Sequence, residues 1–245
     1  AVHHDRLAVA PVDLRDVPDR PRREGPVLRD DGRDLVEVAV LGDPQLDRRE
    51  RLAAEAGADP MTGLPNRSRF QAALAEACAA HGEGRGFALH RIDLDRFKLV
   101  NDTHGHAAGD ALLRLVGTRI RAELRDGDLL ARLGGDEFAV IQSGLRRPED
   151  AIALGERLLH VLERPYEIAD KHLIVSASIG SVLSLPGEAP RTDVLGAADL
   201  ALYEAKAQGR HALRIYEHTM SERVERRRAI EADLRLALEA GQLTL

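Results

Sequence analysis

The chain has 245 residues, of which 35 are Lys or Arg and 41 are Asp or Glu, so its formal charge is −6 with neutral histidines. A hydrophobic fraction of 44% is enough to form a core, which excludes a chain that is disordered throughout. The acidic balance, with four Phe, three Tyr and no Trp, argues against a groove for nucleic-acid polymers. Cys78 is the only cysteine, which excludes an internal disulfide and fits a reducing cytoplasm.

Two segments precede the first clear helix. Residues 1–46 carry many prolines and a hairpin signal at Asp30-Asp31-Gly32, and we predict that they are the remnant of an upstream sensor domain. Residues 47–58 have helical composition and lead into Asp59-Pro60, which predicts a linker helix followed by a domain boundary.

From residue 59 to residue 217 the hydrophobic pattern alternates between helical and strand periods. The pattern predicts, in chain order, a helix from Ser68 to about residue 80, a strand at 87–94, a helix at 106–124, strands at 129–133 and 138–141, a helix at 148–164, a strand at 172–179, a helix at 192–207 and a strand at 211–216. Strands joined both by helices and by hairpins predict an α+β domain with a mixed, mostly antiparallel central sheet flanked by helices.

Local signals support several of these boundaries. Ser68 and Gln71 have the spacing of a capping box at the start of the first helix. Gly134-Gly135 between two short apolar runs predicts a hairpin. Pro148 is typical of the first turn of a helix. A further helix, rich in Glu and Arg, is predicted at 221–240.

Carboxylates lie at two points where a predicted strand meets a turn. Asp93 and Asp95 end the strand at 87–94, and Asp136 and Glu137 begin the second arm of the hairpin. If these strands are neighbours, Asp93 and Asp136 converge and suit Mg²⁺, which prefers oxygen ligands. Acidic residues at strand ends are also typical of solvated turns, and the carboxylates alone leave both interpretations open.

The string Gly134-Gly135-Asp136-Glu137-Phe138 resembles the signature of the GGDEF family of diguanylate cyclases. Three other segments resemble family motifs in the same order: the opening motif at 59–67, with Met61 where leucine is usual, a metal- and base-binding segment at 93–106, and the closing helix at 198–210. The resemblance covers about residues 59–216, and it implies a nucleotidyl-cyclase-like fold and a GGDEF catalytic domain at 59–217.

The activity implied by the resemblance is the synthesis of cyclic di-GMP from two GTP molecules, which are held by two facing domains of a homodimer. Asp93, the carbonyl of Leu94 and Asp136 are implied to hold Mg²⁺ or Mn²⁺. Asp136 and Glu137 are implied to be the catalytic pair. Glu137 either assists the metal or accepts a proton, and the sequence leaves both roles open.

The resemblance assigns Asn101 and Asp110 to the guanine base, because an amide with a carboxylate matches its acceptors and donors. His106 is implied to lie near the same pocket. Asn101 and Asp110 are also suitable caps for the helix that begins near His106, which is the alternative interpretation.

Three cations are implied to bind the phosphates of GTP. They are Lys98, Lys206 and Arg210. Lys206 and Arg210 are four residues apart and are predicted to share one helix face. Their alternative role is to stabilise the C-terminal end of that helix through its dipole.

An inhibitory site for the product is implied by Arg125 and Asp128, which have the Arg-x-x-Asp spacing of family members inhibited by cyclic di-GMP. Arginine can donate two hydrogen bonds to guanine while aspartate accepts from its ring donors. Arg157 resembles a secondary arginine of this site. The alternative is an ordinary exposed ion pair between Arg125 and Asp128.

The two ends of the chain resemble parts of other domains. Residues 1–46 resemble the end of a PAS-type sensor, and residues 230–245 resemble the first helix and strand of an EAL phosphodiesterase domain. We therefore predict that 218–245 is a linker with the start of a truncated EAL domain, in a parent protein with sensor and EAL domains. A second hypothesis is a non-catalytic module that senses GTP or cyclic di-GMP and regulates that EAL domain.

Overall fold

The computed structural model describes residues 57–223, 226, 237 and 238. The predicted sensor remnant at 1–46 and most of the predicted segments at 47–58 and 218–245 lie outside these residues. Gly57 and Ala58, at the end of the predicted linker helix, are not helical, and Ala58 forms an isolated antiparallel bridge with Pro65. Residues 218–223 are helical.

The described part of the domain contains five helices and seven strands of three or more residues, before the short helical stretch at 218–223. In chain order they are α1 (Arg67–Gly82), β1 (Gly86–Leu94), α2 (Phe97–His104), α3 (His106–Glu123), β2 (Leu129–Gly134), β3 (Glu137–Leu145), α4 (Pro148–Glu163), β4 (Tyr166–Ile168), β5 (Lys171–Leu173), β6 (Ala177–Ser184), α5 (Val194–Ala207) and β7 (Leu213–Ile215).

Strand β1 lies at the centre of a five-stranded sheet with the order β2-β3-β1-β6-β7. It pairs antiparallel with both β3 and β6, whereas β7 is parallel to β6. Strands β4 and β5 form a separate antiparallel hairpin. The predicted α+β class, with a mixed and mostly antiparallel sheet flanked by helices, is confirmed.

Helices cover both faces of this sheet. On one face α1 and α5 pack over a core that includes Phe70 and Leu89, and on the other α3 and α4 pack over a core that includes Ile92 and Leu112. Side chains alternate between the two faces of a strand. The odd-numbered side chains of β1, including Asp93, therefore point to the side of α1 and α5.

The predicted cap of the first helix is wrong. Asn66 is the N-cap of α1, and its side-chain oxygen accepts a hydrogen bond from the backbone N–H of Arg69 at 3.1 Å. Ser68 already lies in the first helical turn, because the chain is extended at Asn66 and helical from Arg67. The predicted helix start at Pro148 is confirmed.

The single strand predicted at 172–179 is also wrong. Residues 171–173 form β5, which pairs with β4, and the chain then crosses to the main sheet, where β6 begins at Ala177. The alternating pattern continues through the crossing, so it does not mark the break. Helix α2 was not predicted, because it has only eight residues and one buried side chain, Phe97.

Candidate active site

Asp93 and Asp136 lie next to each other at the end of β1. Asp93 is opposite Glu137 in the β1–β3 register, and the backbone N–H of Leu94 donates to the carbonyl of Asp136 at 3.4 Å. Asp136 occupies the turn between β2 and β3 and is half-buried. The predicted neighbouring strands are therefore present, and they bring the two carboxylate-bearing residues together.

The Asp93 carboxylate is buried and already has one cationic partner. Lys206, in the last turn of α5, places its Nζ 2.7 Å from Oδ2 of Asp93. Burial raises the pKa of Asp93, Lys206 opposes this effect, and the nearby carboxylates of Asp136 and Asp95 add to it. A second cation at this point would stabilise the ionised form of Asp93, which burial disfavours.

The oxygen atoms at the end of β1 suit a hard divalent cation. Within the described residues, no cluster of three or more His, Cys, Asp or Glu side chains could hold a metal. Two carboxylates with the carbonyl of Leu94 fit Mg²⁺, which commonly takes one or two carboxylates and completes its shell with water and substrate phosphate.

The turn that carries Asp136 is built from two glycines with positive φ, +132° at Gly134 and +54° at Gly135. Only glycine adopts these conformations without strain. The buried guanidinium of Arg132 donates to the Gly135 carbonyl at 2.7 and 3.1 Å. It also donates to both carboxylate oxygens of Asp59, at 2.9 and 3.0 Å. Arg132 thus ties the opening segment of the domain to the signature turn.

Glu137, the first residue of β3, is held by arginines. Its Oε2 lies 3.1 Å from Nη2 of Arg91, in β1, and 3.7 Å from Nη2 of Arg67, in α1. Arg91 also places Nη1 2.9 Å from Oδ1 of Asp199, in α5. Burial raises the pKa of Asp199, while Arg91 lowers it and Glu137 raises it further.

Arg210 does not share a helix face with Lys206, so that prediction is wrong. Helix α5 ends at Ala207, and Arg210 is exposed in the following turn. The backbone there is left-handed at two successive residues that are not glycine, with φ of +64° at Arg210 and +46° at His211. Such positions persist only where the surroundings hold them.

Asp95 is one of the groups that hold this turn. Its buried carboxylate accepts hydrogen bonds from the backbone N–H of His211 at 3.1 Å and from the hydroxyls of Ser176 and Ser178 at 2.8 and 2.7 Å. Asp95 therefore links the ends of β1, β6 and α5. It is a supporting residue next to Asp93.

The residues assigned to guanine come from two adjacent helices. Asn101 lies in α2, while His106 begins α3 and Asp110 follows one turn later. Gly105 is the N-cap of α3 and makes no side-chain capping bond, so the alternative that Asn101 or Asp110 caps this helix is wrong. Lys98 is exposed on α2.

Gly109 leaves the space that the Asn101 side chain occupies. A Cβ atom at residue 109 would lie 1.9 Å from Oδ1 of Asn101 and 3.2 Å from the ring of Phe97. The side chain of Asn101 thus depends on a glycine in the neighbouring helix.

Arg125 and Asp128 are in contact, with 3.6 Å between Nε and Oδ1. The side chain of Arg125 is 58% exposed and that of Asp128 is 3% exposed, so the pair matches the exposed ion pair of the alternative on the arginine side only. Asp128 also accepts a hydrogen bond from the backbone N–H of Ser143 at 3.1 Å. Arg157, in α4, donates to the side chain and the carbonyl of Glu123 at 2.8 and 3.0 Å. Arg157 therefore lies beside the segment that leads to Arg125.

Sequence reasoning gave no individual role to several residues that support the site, although the first and last of them lie in the motifs at 59–67 and 198–210. They are Asp59, Arg91, Gly109, Arg132 and Asp199. A signal was present for Arg91 and Arg132, because each is a charged residue inside an apolar strand. Such residues are rarely buried without a partner.

The sequence profile described as "Diguanylate cyclase, GGDEF domain" matches residues 56–212. The chain belongs to the GGDEF family. A bifunctional diguanylate cyclase/cyclic di-GMP phosphodiesterase, MucR of Pseudomonas aeruginosa, is 42% identical over 189 residues, which are 76% of this chain and 27% of MucR. The diguanylate cyclase TpbB of the same species is 39% identical over 173 residues, or 70% of this chain and 40% of TpbB. The chain thus spans less than half of either relative.

Solved GGDEF domains have the same fold. The GGDEF domain of TpbB matches with a TM-score of 0.65 and 38% identity, over 69% of this chain and 99% of that one. The coiled coil and GGDEF domain of DgcB from Caulobacter crescentus, in complex with cyclic di-GMP, matches with a TM-score of 0.60 and 30% identity, over 69% and 90%. In this GGDEF domain, none of the described helices is both long and apolar enough to cross a membrane.

Proposed function

We propose that this GGDEF domain is catalytic and joins two GTP molecules into cyclic di-GMP, with release of two pyrophosphates. The observation that carries the proposal is the position of Asp136 beside the end of β1, next to Asp93 and the ammonium of Lys206. Two carboxylates and a cation at one point suit a nucleoside triphosphate with its divalent ion.

Asp93, Asp136 and the carbonyl of Leu94 would hold Mg²⁺ or Mn²⁺. When bound, the ion neutralises triphosphate charge and lowers the pKa of the attacking hydroxyl. Lys206 brings a positive charge to the same point, where it is available to a phosphate oxygen. Lys98 and Arg210 are further phosphate ligands in this proposal.

Guanine is recognised by Asn101 and Asp110, with His106 at the edge of the same pocket. An amide and a carboxylate together pair with the oxygen and the N–H groups of guanine. Adenine would leave both side chains without partners, and a buried polar group without a partner is strongly unfavourable. The proposal therefore includes selection of GTP over ATP.

The reaction requires two domains, because each holds one GTP. The 3′-oxygen of each GTP forms a bond to the α-phosphorus of the other, and the bond from that phosphorus to the bridging oxygen breaks, so pyrophosphate leaves with its electron pair. The proton of each hydroxyl passes to solvent or to a nearby base. A homodimer that positions the two nucleotides supplies most of the catalysis.

The test is product formation from GTP and Mg²⁺ at high protein concentration. The Asp136→Ala variant should lose at least ~100-fold in rate, and Asp170→Ala, an exposed residue in the β4–β5 turn, is the matched control. The rate per molecule should rise with protein concentration. A sample that is dimeric and binds GTP but makes no product would refute catalysis and favour the sensing module instead.

The proposal extends to product inhibition, to the parent protein and to its location. Arg125, Asp128 and Arg157 bind the product and inhibit the domain. The proposed parent protein carries sensor and EAL domains. The name of MucR, which combines a diguanylate cyclase with a cyclic di-GMP phosphodiesterase, supports only the phosphodiesterase part of this proposal. A cytoplasmic location, where GTP is available, is part of the proposal.

A further inference from the structure

Arg91 is a buried charge in the central strand of the sheet. Its side chain is 6% exposed, and it lies two residues before Asp93 on the same face of β1. Taking a guanidinium out of water is strongly unfavourable unless carboxylates pair with it. The position of Arg91 therefore depends on its partners.

Those partners come from two different elements of the candidate site. Nη2 of Arg91 lies 3.1 Å from Glu137, in the signature string, and Nη1 lies 2.9 Å from Asp199, in α5. Helix α5 also carries Lys206, which contacts Asp93. One guanidinium thus connects the central strand, the start of β3 next to the signature turn, and the helix that carries Lys206.

The two carboxylates would repel each other without Arg91. Glu137 and Asp199 are 36% and 50% exposed, so water compensates them only in part. Arg67 is the other arginine near Glu137, but it is more distant at 3.7 Å and its side chain is 54% exposed. Loss of Arg91 would therefore remove the closer ion pair of Glu137, and a shift of Glu137 would move its neighbour Asp136.

We propose that Arg91 is a positioning residue for the cyclase reaction: its ion pairs with Glu137 and Asp199 link β1 to β3 and α5, hold Glu137 in place and thereby fix Asp136 beside Asp93. This inference rests on the proposed function and deepens it. It assigns Glu137 to a supporting role, where the sequence leaves a choice between metal binding and proton transfer.

The test is a double-mutant cycle of Arg91→Met and Glu137→Gln, measured first by Mn²⁺ binding in the presence of a non-hydrolysable GTP analogue. Groups that orient metal ligands are typically worth ~10–100-fold in metal affinity. Each single variant should weaken Mn²⁺ binding about tenfold, and the double variant should be no weaker than the worse single variant. Affinity for the analogue without metal should remain within about twofold, because the guanine-binding residues are elsewhere.

Further variants separate positioning from a general loss of folding. Arg91→Lys keeps one charge and should recover part of the Mn²⁺ affinity that Arg91→Met loses. Arg85→Met removes an exposed arginine that pairs with Glu83 just before β1, and it should change nothing. Urea unfolding of each variant identifies any variant that is not folded under the assay conditions.

The cyclase rate is measured on the same variants. The inference is overturned if Arg91→Met binds Mn²⁺ as tightly as the wild type, or if Glu137→Gln costs as much in the Arg91→Met background as it does alone. If neither the wild type nor any variant makes product while the coupling in Mn²⁺ binding is present, the proposed cyclase activity fails, and Arg91 still positions the metal-binding carboxylates.

Discussion

Acid should destabilise this domain through His90, which lies in the middle of β1. The side chain is fully buried between Ser181 and Gln142, with 2.7 Å from Nδ1 to the serine hydroxyl and 3.3 Å from Nε2 to the amide oxygen. Both partners are neutral, so neither compensates a charged imidazole. Burial lowers the pKa of His90 from 6.5 to about 4, and the hydrogen bond with Gln142 opposes this change.

The sign and size of the effect follow from proton linkage. As the pH falls below 6.5, the unfolded chain takes up a proton at His90 and the folded chain does not, so the free energy of unfolding decreases. The decrease is about 1.4 kcal/mol for each pH unit and ends near pH 4. A fall in pKa from 6.5 to about 4 is therefore worth about 3 kcal/mol over this range.

Urea unfolding between pH 7.5 and pH 4.5 measures this contribution. Replacing His90 with Gln removes the titrating group, so the wild type should lose about 2 kcal/mol more than His90→Gln between pH 7.5 and pH 5. His172→Gln, which changes an exposed residue of β5, is the matched control and should retain the wild-type slope. Equal slopes in the wild type and His90→Gln would refute the reasoning.

Three further variants test the site. Gly109→Ala should displace the side chain of Asn101 and weaken GTP binding about tenfold, which corresponds to the loss of about one hydrogen bond. Mn²⁺ binding should be unchanged, and calorimetric titration with each ligand measures both effects. Asp95→Ala should lower the free energy of unfolding by about 3 kcal/mol, because the N–H of His211 and two serine hydroxyls lose a charged acceptor; a loss below 1 kcal/mol in urea unfolding would contradict it. Arg125→Ala should weaken cyclic di-GMP binding about thirtyfold, or about 2 kcal/mol, and leave GTP affinity unchanged. Equal cyclic di-GMP affinity in the wild type and the variant would show that Arg125 forms only a surface ion pair.

Local patterns predicted most elements of the fold. The Gly134-Gly135 turn and the apolar strand before Asp93 are each signalled by a few consecutive residues. They led to the expectation that Asp93 and Asp136 converge if the two strands are neighbours, and the structure supplies that pairing. Competing local signals were less informative. Asn66 and Ser68 are both good capping residues, and only the backbone conformation decides between them.

The supporting contacts of the site were beyond the reach of such patterns. Arg91 is 46 residues from Glu137, and nothing in a single sequence states which distant carboxylate will face a buried arginine. The same holds for Asp95 and His211, which are 116 residues apart. The break at residues 174–176 was missed because the alternating pattern is the same in β5 and β6, which belong to different sheets.

The central position of β1 determines when the site can form during synthesis. Strand β1 is made first among the strands of its sheet, but its antiparallel partner β6 follows much later, and Asp95 and Ser178 are separated by 83 residues. Ribosomes add about 5–20 residues per second, so this interval lasts roughly 4–17 s. During this interval β1 lacks one of its two neighbouring strands, although Leu89 and Ile92 of β1 are fully buried in the finished domain. Nascent chains of this domain are therefore most vulnerable to aggregation before β6 emerges.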